Sequence, residues 1–435
     1  MSRFEALPGT RDFYPPEMRL RRWIEARWRE VALRYGFEEV DGPVIEPLEL
    51  YTVKSGDEIV GQLYAFEDRG GRRVALRPEM TPTLARMVAA RSQGLPKPIK
   101  WFSIPRLFRY ERPQRGRFRE FWQLNLDVFG VAGIEADAEI ISAGVDVLRA
   151  CGLGTADFVV RYSDRRLLDR ALDRLGVPPE VWPAAFAALD KLLRGGPDEA
   201  RAALGKVGVS ERAAATLVEA VERRERTGFE EALAGAGVDV AAESAELSEL
   251  EARLEAYGVA SFCAFDAAVV RGLAYYTGVV FEIYDRAGEL RAICGGGRYD
   301  DLLEGVGGER LPAVGFGLGE AVLAELLERV GAAPAETGRC EAYVIPVSAA
   351  DRLHATGVAA RLREAGVRTD LALRDASLGR GLKSAAQAGA RVAIVIGERE
   401  RQGETLTFRD LASGEEVSVG VEEAIARLRR RGVEG

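Results

Sequence analysis

The stretch LFRYERPQRGRFREFWQLNLDVFG, residues 107–130, contains two runs of apolar and charged residues separated by the polar loop RPQRG. Together with KWFSIPR before it, this alternation predicts a large antiparallel hairpin. On strands, residues two apart share a face. The pattern therefore predicts that Arg109 and Glu111 point the same way, as do Arg117 and Arg119.

Six arginines lie on this hairpin, and they would repel one another unless anions compensate them. Arginine suits bidentate contacts with phosphate, which favours an anionic ligand. A solvated hairpin held by salt bridges is the alternative interpretation. The six residues are Arg106, Arg109, Arg112, Arg115, Arg117 and Arg119.

The second run places three polar residues, Gln123, Asn125 and Asp127, on one face of an otherwise apolar strand. Burying such groups without partners is costly. The row therefore either faces water or lines a binding site, and the sequence leaves both interpretations open.

Three further segments contain polar groups suited to a ligand, each with a plainer alternative. In RPEMT (77–81), Glu79 and Thr81 suit a substrate ammonium, but Thr81 could simply cap a helix with Pro82 at its first position. In RGLAYYTG (271–278), the tyrosines could be core residues. The glycines of GGGRYD (295–300) could admit a ligand against bare backbone or form a flexible turn.

Composition limits the chemistry available to the chain. The sequence of 435 residues has one histidine, His354, which excludes an HExxH zinc site and any metal centre with two histidines. The four cysteines form no CxxC pair, which predicts a reducing, cytoplasmic location. The first residues lack the apolar core of a signal peptide, and no stretch approaches the roughly 18 apolar residues of a membrane span.

The pattern along the chain predicts several domains. Helical periodicity is expected over residues 19–35 and 165–258, a hairpin over 63–76, and strands again from 265. Residues 331–337 have the composition of a linker. The tail alternates strands and helices, which predicts a compact α/β module with a mostly parallel sheet.

Taken in order, these segments resemble the histidyl-tRNA synthetases, a family of class II aminoacyl-tRNA synthetases. GFEEVDGPVIEPLELY resembles motif 1, LFRYERPQRGRFREFWQLNLDVFG motif 2, and AVGFGLG the start of motif 3. RGLAYYTGVVFE resembles the histidine-specific signature, and GETLTFRDLASGEE resembles the anticodon-binding domain. The resemblance covers nearly the whole chain.

The resemblance implies an α+β fold in which a class II antiparallel-sheet catalytic domain has a helical insertion. The core would comprise residues 1–164 and 259–330, and the insertion residues 165–258. A C-terminal α/β anticodon-binding domain would follow over residues 338–435. The implied activity is ATP- and Mg²⁺-dependent formation of histidyl-adenylate, followed by transfer of histidine to the 3′ end of tRNA(His). The expected partners are L-histidine, this tRNA and a second copy of the chain through motif 1, and no membrane is expected.

Roles for individual residues also follow from the resemblance. Arg109 would contact the ATP α-phosphate, Glu111 the adenine edge and Arg117 the outer phosphates, with Phe121 stacked under adenine. Glu79, Thr81 and Gln123 would bind the α-ammonium group of histidine. Asp127 and Tyr276 would bind its imidazole with Tyr275 nearby, and Arg271 would lie against the carboxylate and the α-phosphate. Arg109 and Arg271 would be the catalytic residues.

Two positions depart from the family pattern. Val322 stands where motif 3 usually has an arginine for the γ-phosphate, and Ala274 stands where an aspartate is usual. Both suit a synthetase in which another basic group covers the outer phosphates, and both also suit a paralogue that no longer forms adenylate. The second case includes the synthetase-like regulatory subunits of ATP phosphoribosyltransferase, which lack the anticodon domain.

Overall fold

The computed structural model describes residues 4–52, 61–189, 192–269, 275–334, 338–374 and 377–433. The chain divides into two compact units, Met1–Pro334 and Ala335–Gly435. This division falls within the segment predicted to be a linker. Within the described ranges, no helix is long and apolar enough to span a bilayer.

The first unit is organised around one large sheet. Its strand order is β1-β5-β7-β12-β11-β10-β8-β9, β6 pairs with β7, and a separate small sheet has the order β2-β4-β3. The strands are β1 (Glu38–Glu39), β2 (Ile45–Pro47), β3 (Tyr64–Glu67), β4 (Arg73–Leu76), β5 (Ile99–Ser103), β6 (Arg106–Phe108), β7 (Glu120–Phe129), β8 (Phe158–Asp164), β9 (Cys263–Phe265), β10 (Val279–Asp285), β11 (Cys294–Arg298) and β12 (Ala313–Gly319).

The pairings from β5 through β8 are antiparallel, and only the outer pairs β1–β5 and β8–β9 are parallel. The predicted α+β fold class with an antiparallel catalytic sheet is therefore confirmed. The helices of this unit are α1 (Pro15–Arg34), α2 (Glu49–Thr52), α3 (Thr81–Ala89), α4 (Glu135–Ala150), α5 (Arg165–Arg174), α6 (Trp182–Leu189), α7 (Leu192–Lys206), α8 (Glu211–Glu222), α9 (Arg226–Gly235), α10 (Ala241–Ala256), α11 (Leu302–Gly305) and α12 (Glu320–Val330). Every described element from α5 to α10 is helical, as the periodicity of residues 165–258 predicts.

The two faces of the sheet differ because of strict alternation along β7. Leu124, Leu126 and Val128 are almost fully buried on one face, and Phe316 and Leu318 of β12 pair beside them. Helices α1, α4 and α12 pack on this apolar face and form the main core. The polar row of β7 lies on the opposite face.

Two local predictions are wrong. Strand β6 ends at Phe108 and β7 begins at Glu120, so residues 109–119 form a loop and the predicted shared strand faces of its arginines do not apply. Pro113 cannot donate to a ladder, and Gly116 turns the chain at φ +69°, which explains the interruption. Thr81 is not the cap of α3, because Met80 already has helical angles (φ −97°, ψ −28°) and occupies the cap position.

The second unit has a five-stranded sheet in the order β14-β13-β15-β16-β17. The strands are β13 (Ala342–Pro346), β14 (Thr369–Leu371), β15 (Val392–Ile396), β16 (Leu406–Asp410) and β17 (Glu416–Val419), and the helices are α13 (Arg352–Glu364), α14 (Leu378–Gln387), α15 (Glu398–Gly403) and α16 (Val421–Val433). Only β14, β13 and β15 are parallel, so the predicted mostly parallel sheet is wrong for β16 and β17. The connections to these two strands are too short for a parallel crossover.

Candidate active site

The polar row of β7 lies beside a strand that has glycine at every opposing position. Asp127 pairs with Gly315, Asn125 with Gly317, and Gln123 with Gly319. A Cβ atom at Gly315 would lie 2.8 Å from the Cγ of Asp127, and one at Gly317 would lie 2.6 Å from the Cδ of Gln123. At Gly315 and Gly317 the polar side chains therefore occupy space that any other residue on β12 would fill.

Asp127 lies at the deep end of this row and is 1% exposed. The hydroxyl of Tyr299 donates a hydrogen bond to its Oδ1, whereas Oδ2 has no hydrogen-bond partner among the described residues. Burial raises the pKa of Asp127 to about 7, and the bond from Tyr299 opposes part of that rise. The site thus holds a buried acceptor that a ligand N–H group would satisfy.

Tyr299 is a site residue that the sequence interpretation missed. It follows β11 directly, and that strand is anchored by Arg298, whose Nε lies 3.1 Å from Oδ2 of Asp137 in α4. Arg298 also donates to the backbone carbonyls of Val131 and Gly133, each at 2.9 Å. The GGGRYD segment is therefore part of a rigid central strand, not a flexible turn. Arg298 followed by Tyr299 within GGGRYD was the sequence signal that could have identified Tyr299 as a site residue.

Glu79 is the second buried carboxylate, 4% exposed, and lies two residues before α3. The hydroxyl of Tyr275 donates to its Oε2 at 3.0 Å. Burial and the nearby charge of Glu79 raise the pKa of Tyr275 well above its usual value, so the phenol stays protonated as a donor. The bond fixes the orientation of the carboxylate.

Three tyrosine rings join the two carboxylates into one pocket. The ring of Tyr275 lies 5.2 Å from that of Tyr276 and 5.8 Å from that of Tyr299, both in edge-on geometry. Tyr276 lies beside Gly297, where a Cβ atom would be 3.1 Å from its Cδ1. The result is a cluster of two carboxylates and three phenols, which suits a ligand with cationic and N–H groups.

The loop of residues 109–119 holds a second group of predicted residues. The guanidinium of Arg109 lies 5.3 Å from the ring centroid of Phe121, and its Nε donates to the carbonyl of Pro78 at 2.8 Å. Glu111, 7% exposed, forms an ion pair with Arg117. Because Pro78 precedes Glu79, Arg109 connects this group to the carboxylate pocket.

Other arginines of the hairpin have structural partners. Arg106 pairs with Glu120 at 2.9 Å, and Arg115 pairs with Glu325 of α12. The salt-bridged interpretation therefore holds for these two residues. Arg109 donates to a backbone carbonyl and lies against an aromatic face.

For the remaining predicted residues the structure gives a position on an element or a neighbouring residue, or does not describe them. Gln123 lies over Gly317 on the same face as Asp127, and Thr81 is the first residue of α3, close in sequence to Glu79. Arg271 and Ala274 lie outside the described residues. Val322 packs near the loop, since a Cβ atom at Gly116 would lie 3.3 Å from its Cγ2.

Comparison with known proteins places this geometry in a family. The sequence profile of histidyl-tRNA synthetase matches residues 9–322, and the profile of the anticodon binding domain matches residues 341–431. The histidine–tRNA ligase of Opitutus terrae is 43% identical over 431 residues, which is 99% of each chain.

Solved structures agree with this assignment. The histidyl-tRNA synthetase of Nostoc sp. PCC 7120 superposes with a TM-score of 0.82 at 25% identity and covers 99% of this chain and 100% of its own. A Bacillus halodurans protein described as an ATP phosphoribosyltransferase regulatory subunit/histidyl-tRNA synthetase gives a TM-score of 0.74 at 25% identity, covering 91% and 99% of the two chains. Family profile and full-length identity together confirm the resemblance drawn from the motifs: this chain belongs to the histidyl-tRNA synthetase family.

Proposed function

We propose that this protein is a histidine–tRNA ligase. It activates histidine with ATP to histidyl-adenylate and transfers the histidyl group to the 3′ end of tRNA(His). The unpartnered Oδ2 of Asp127, buried in a pocket with a second carboxylate and several phenols, is the observation that carries the assignment. A buried acceptor of this kind selects a side chain with an N–H group and rejects isosteres that lack one.

The carboxylate pocket binds histidine. Asp127 accepts a hydrogen bond from one imidazole nitrogen, and Tyr276 contacts the other. Glu79, Thr81 and Gln123 bind the α-ammonium group. Tyr275 acts by holding Glu79 in position, which the bond at 3.0 Å supports.

The loop and β7 bind ATP. Arg109 contacts the α-phosphate, Phe121 stacks under adenine, Glu111 accepts from the adenine edge, and Arg117 reaches the outer phosphates. Glu111 and Arg117 form an ion pair with each other, which places both groups on the same loop beside β7.

The chemistry needs no nucleophile from the protein. A carboxylate oxygen of histidine attacks the α-phosphorus, and the bond to pyrophosphate breaks. Arg109 and Arg271 stabilise the charge that develops on the α-phosphate. A ribose hydroxyl of the tRNA then attacks the acyl carbon and AMP leaves. The only imidazole in the chain, His354, lies in α13 of the second unit, and the reaction does not require it.

Mg²⁺ is expected with the nucleotide. Among the described residues, no group of three or more His, Cys, Asp and Glu side chains gathers to hold a metal. Proteins commonly bind Mg²⁺ through substrate phosphates, waters and one or two carboxylates, and not through a cluster of protein ligands. Mg²⁺ would supply further positive charge on the phosphates.

The regulatory-subunit alternative is not supported. Residues 341–431 match the anticodon binding domain, and the ligase from Opitutus terrae matches over its full length. We also propose binding of tRNA(His) through this second unit, a homodimer formed through motif 1, and a cytoplasmic location, which the four free cysteines suit. Solution mass at twice that of the chain would support the dimer, and a monomer at micromolar concentration would contradict it.

Histidine-dependent exchange of pyrophosphate into ATP tests the proposed function. Purified protein should show exchange that depends on histidine, and no exchange above background would overturn the proposal. Arg271→Ala should reduce kcat far more than it weakens histidine binding, because its charge is needed mainly in the transition state. A change in KM alone would contradict that role.

A further inference from the structure

The segment Leu7–Phe13 lies across the loop of residues 109–119. The backbone N–H of Arg119 donates to the carbonyl of Gly9 at 2.7 Å, and Nη1 of Arg119 donates to the carbonyl of Pro8 at 3.2 Å. Gly9 has φ +84°, and a Cβ atom there would lie 2.8 Å from the Cγ of Arg119. Glycine is therefore required for this close approach.

The guanidinium of Arg119 also contacts a residue of the proposed ATP site. Nε of Arg119 donates to the backbone carbonyl of Glu111 at 2.9 Å. Arg119 thus connects the carbonyls of Pro8 and Glu111 through one rigid planar group. The position of Glu111 depends on a segment that is distant in sequence.

Arg11 provides a second attachment. It forms an ion pair with Glu320, the first residue of α12, and Glu320 is 3% exposed. Its guanidinium also lies 3.7 Å from the ring centroid of Phe118 and 4.8 Å from that of Phe13. Arg11 therefore joins the first segment, the residue next to Arg117, and α12.

The ion pair between Arg11 and Glu320 involves the same helix, α12, as the contact between Val322 and the loop. Two residues after Glu320, α12 presents Val322 against Gly116, where a Cβ atom would lie 3.3 Å from its Cγ2. This helix therefore contributes a carboxylate and an aliphatic side chain to the loop. Arg11 supplies the cation beside Glu320, and Arg115 of the loop supplies another beside Glu325.

We propose that Arg11 is a positioning residue for ATP. Through Phe118 and Glu320 it fixes the loop that carries Glu111 and Arg117, so that the adenosine part of the nucleotide meets a preformed site. This inference rests on the adenine role proposed for Glu111 and goes beyond it. The competing possibility is direct contact with an outer phosphate, since Nε of Arg11 has no hydrogen-bond partner among the described residues.

Binding of ATP and AMP to the full chain separates these cases. Arg11→Ala should weaken both nucleotides by about tenfold or more, because misplacing the loop affects the adenosine contacts that they share. Histidine affinity should change less than about threefold in the same variant. Arg22→Ala is the matched control, since that arginine of α1 also pairs with a buried carboxylate, Glu25, and has a side chain 67% exposed.

Glu320→Gln provides an independent route, because it removes the charge that holds Arg11 while retaining the shape of the side chain. It should weaken ATP and AMP in the same direction. Loss of ATP affinity alone, with AMP unchanged, would identify a direct phosphate contact and overturn the positioning role. Unchanged binding of both nucleotides in both variants would overturn it as well.

Two further measurements keep the result interpretable. Thermal unfolding of each variant shows whether the fold is intact, and Glu320→Gln decides the question if Arg11→Ala does not fold. Absence of histidine-dependent exchange in the wild-type protein would defeat the proposed function. Parallel loss of ATP and AMP binding in that case would still support the positioning role.

Discussion

Tyr299 donates its phenolic hydrogen to Oδ1 of Asp127, and no other residue that the structure describes bonds to Oδ2, which is a buried acceptor. The two residues lie on neighbouring parts of the sheet in space, although they are far apart in sequence. The bond orients the carboxylate and also sets how readily it takes up a proton.

Asp127→Asn should abolish most histidine activation. An amide has no charge and offers a weaker acceptor, and losing such a buried contact costs about 10²-fold or more in kcat/KM. Pyrophosphate exchange at varied histidine measures the loss, and ATP affinity should stay within about threefold. Asp173→Asn on the exposed side of α5 is the matched control. Normal histidine kinetics in Asp127→Asn would refute the imidazole contact.

The same substitution should change the pH dependence of stability. The pKa of Asp127 is about 7 in the folded state and about 3.9 in an unfolded chain, so the folded state binds more protons between these values. The stability of the wild type therefore falls, relative to the variant, as pH rises from about 4 to about 7. The Tm of Asp127→Asn minus the Tm of the wild type, measured by calorimetry, should increase over this range. A decrease would contradict the raised pKa of the buried Asp127.

Histidine binding should weaken as pH falls below about 7, because a protonated Asp127 accepts the imidazole N–H poorly. Free histidine titrates in the same region, so Tyr299→Phe supplies the discriminating comparison. The bond from Tyr299 lowers the pKa of Asp127, and its removal should move the midpoint of the pH profile upward. The substrate is common to both proteins, so an unchanged midpoint would count against Asp127 as the titrating group.

Gly315→Ala should lower kcat/KM for histidine by about tenfold or more, since the new methyl group would displace Asp127 and would also lie 2.6 Å from the backbone carbonyl oxygen of Leu126 on β7. Gly319→Ala is an unusually close control. It lies on the same strand and the same face, and a Cβ atom there meets no other atom within 4 Å. Equal losses in the two variants would show that β12 tolerates no side chain for reasons unrelated to the pocket.

Tyr275→Phe should raise KM for histidine about tenfold with a smaller change in kcat, because Glu79 loses the bond that orients it. Tyr162→Phe removes a comparable bond, from a phenol to Glu251 at 2.8 Å beside α10. It should leave the kinetics unchanged. A larger effect on kcat than on KM would indicate that Tyr275 acts on the reacting groups rather than on Glu79.

Much of the site could be predicted from local sequence, and the reasons for failure are physical. Alternation along β7 predicts that Gln123, Asn125 and Asp127 share a face, because side-chain direction on a strand is local. The glycines opposite them could not be identified, because pairing of β7 with β12 joins segments distant in sequence. Tyr299 was missed for the same reason. The loop is longer than the predicted RPQRG segment, because residues 109–111 and 117–119 were predicted as strand and charge alternation cannot distinguish a ladder from a loop fixed by ion pairs.

The glycine-lined strand β12 has a consequence for redesign of amino-acid specificity. The side chains that lie over β12 can be exchanged for smaller ones. Gly315 and Gly317 have no side chain, so no substitution there can enlarge the site. A larger amino acid can be accommodated only by replacing residues beside the ligand, such as Gln123 and the tyrosines. Smaller substrates cannot be selected by adding side chains at these two glycines, because a Cβ atom there would collide with Asp127 or Gln123.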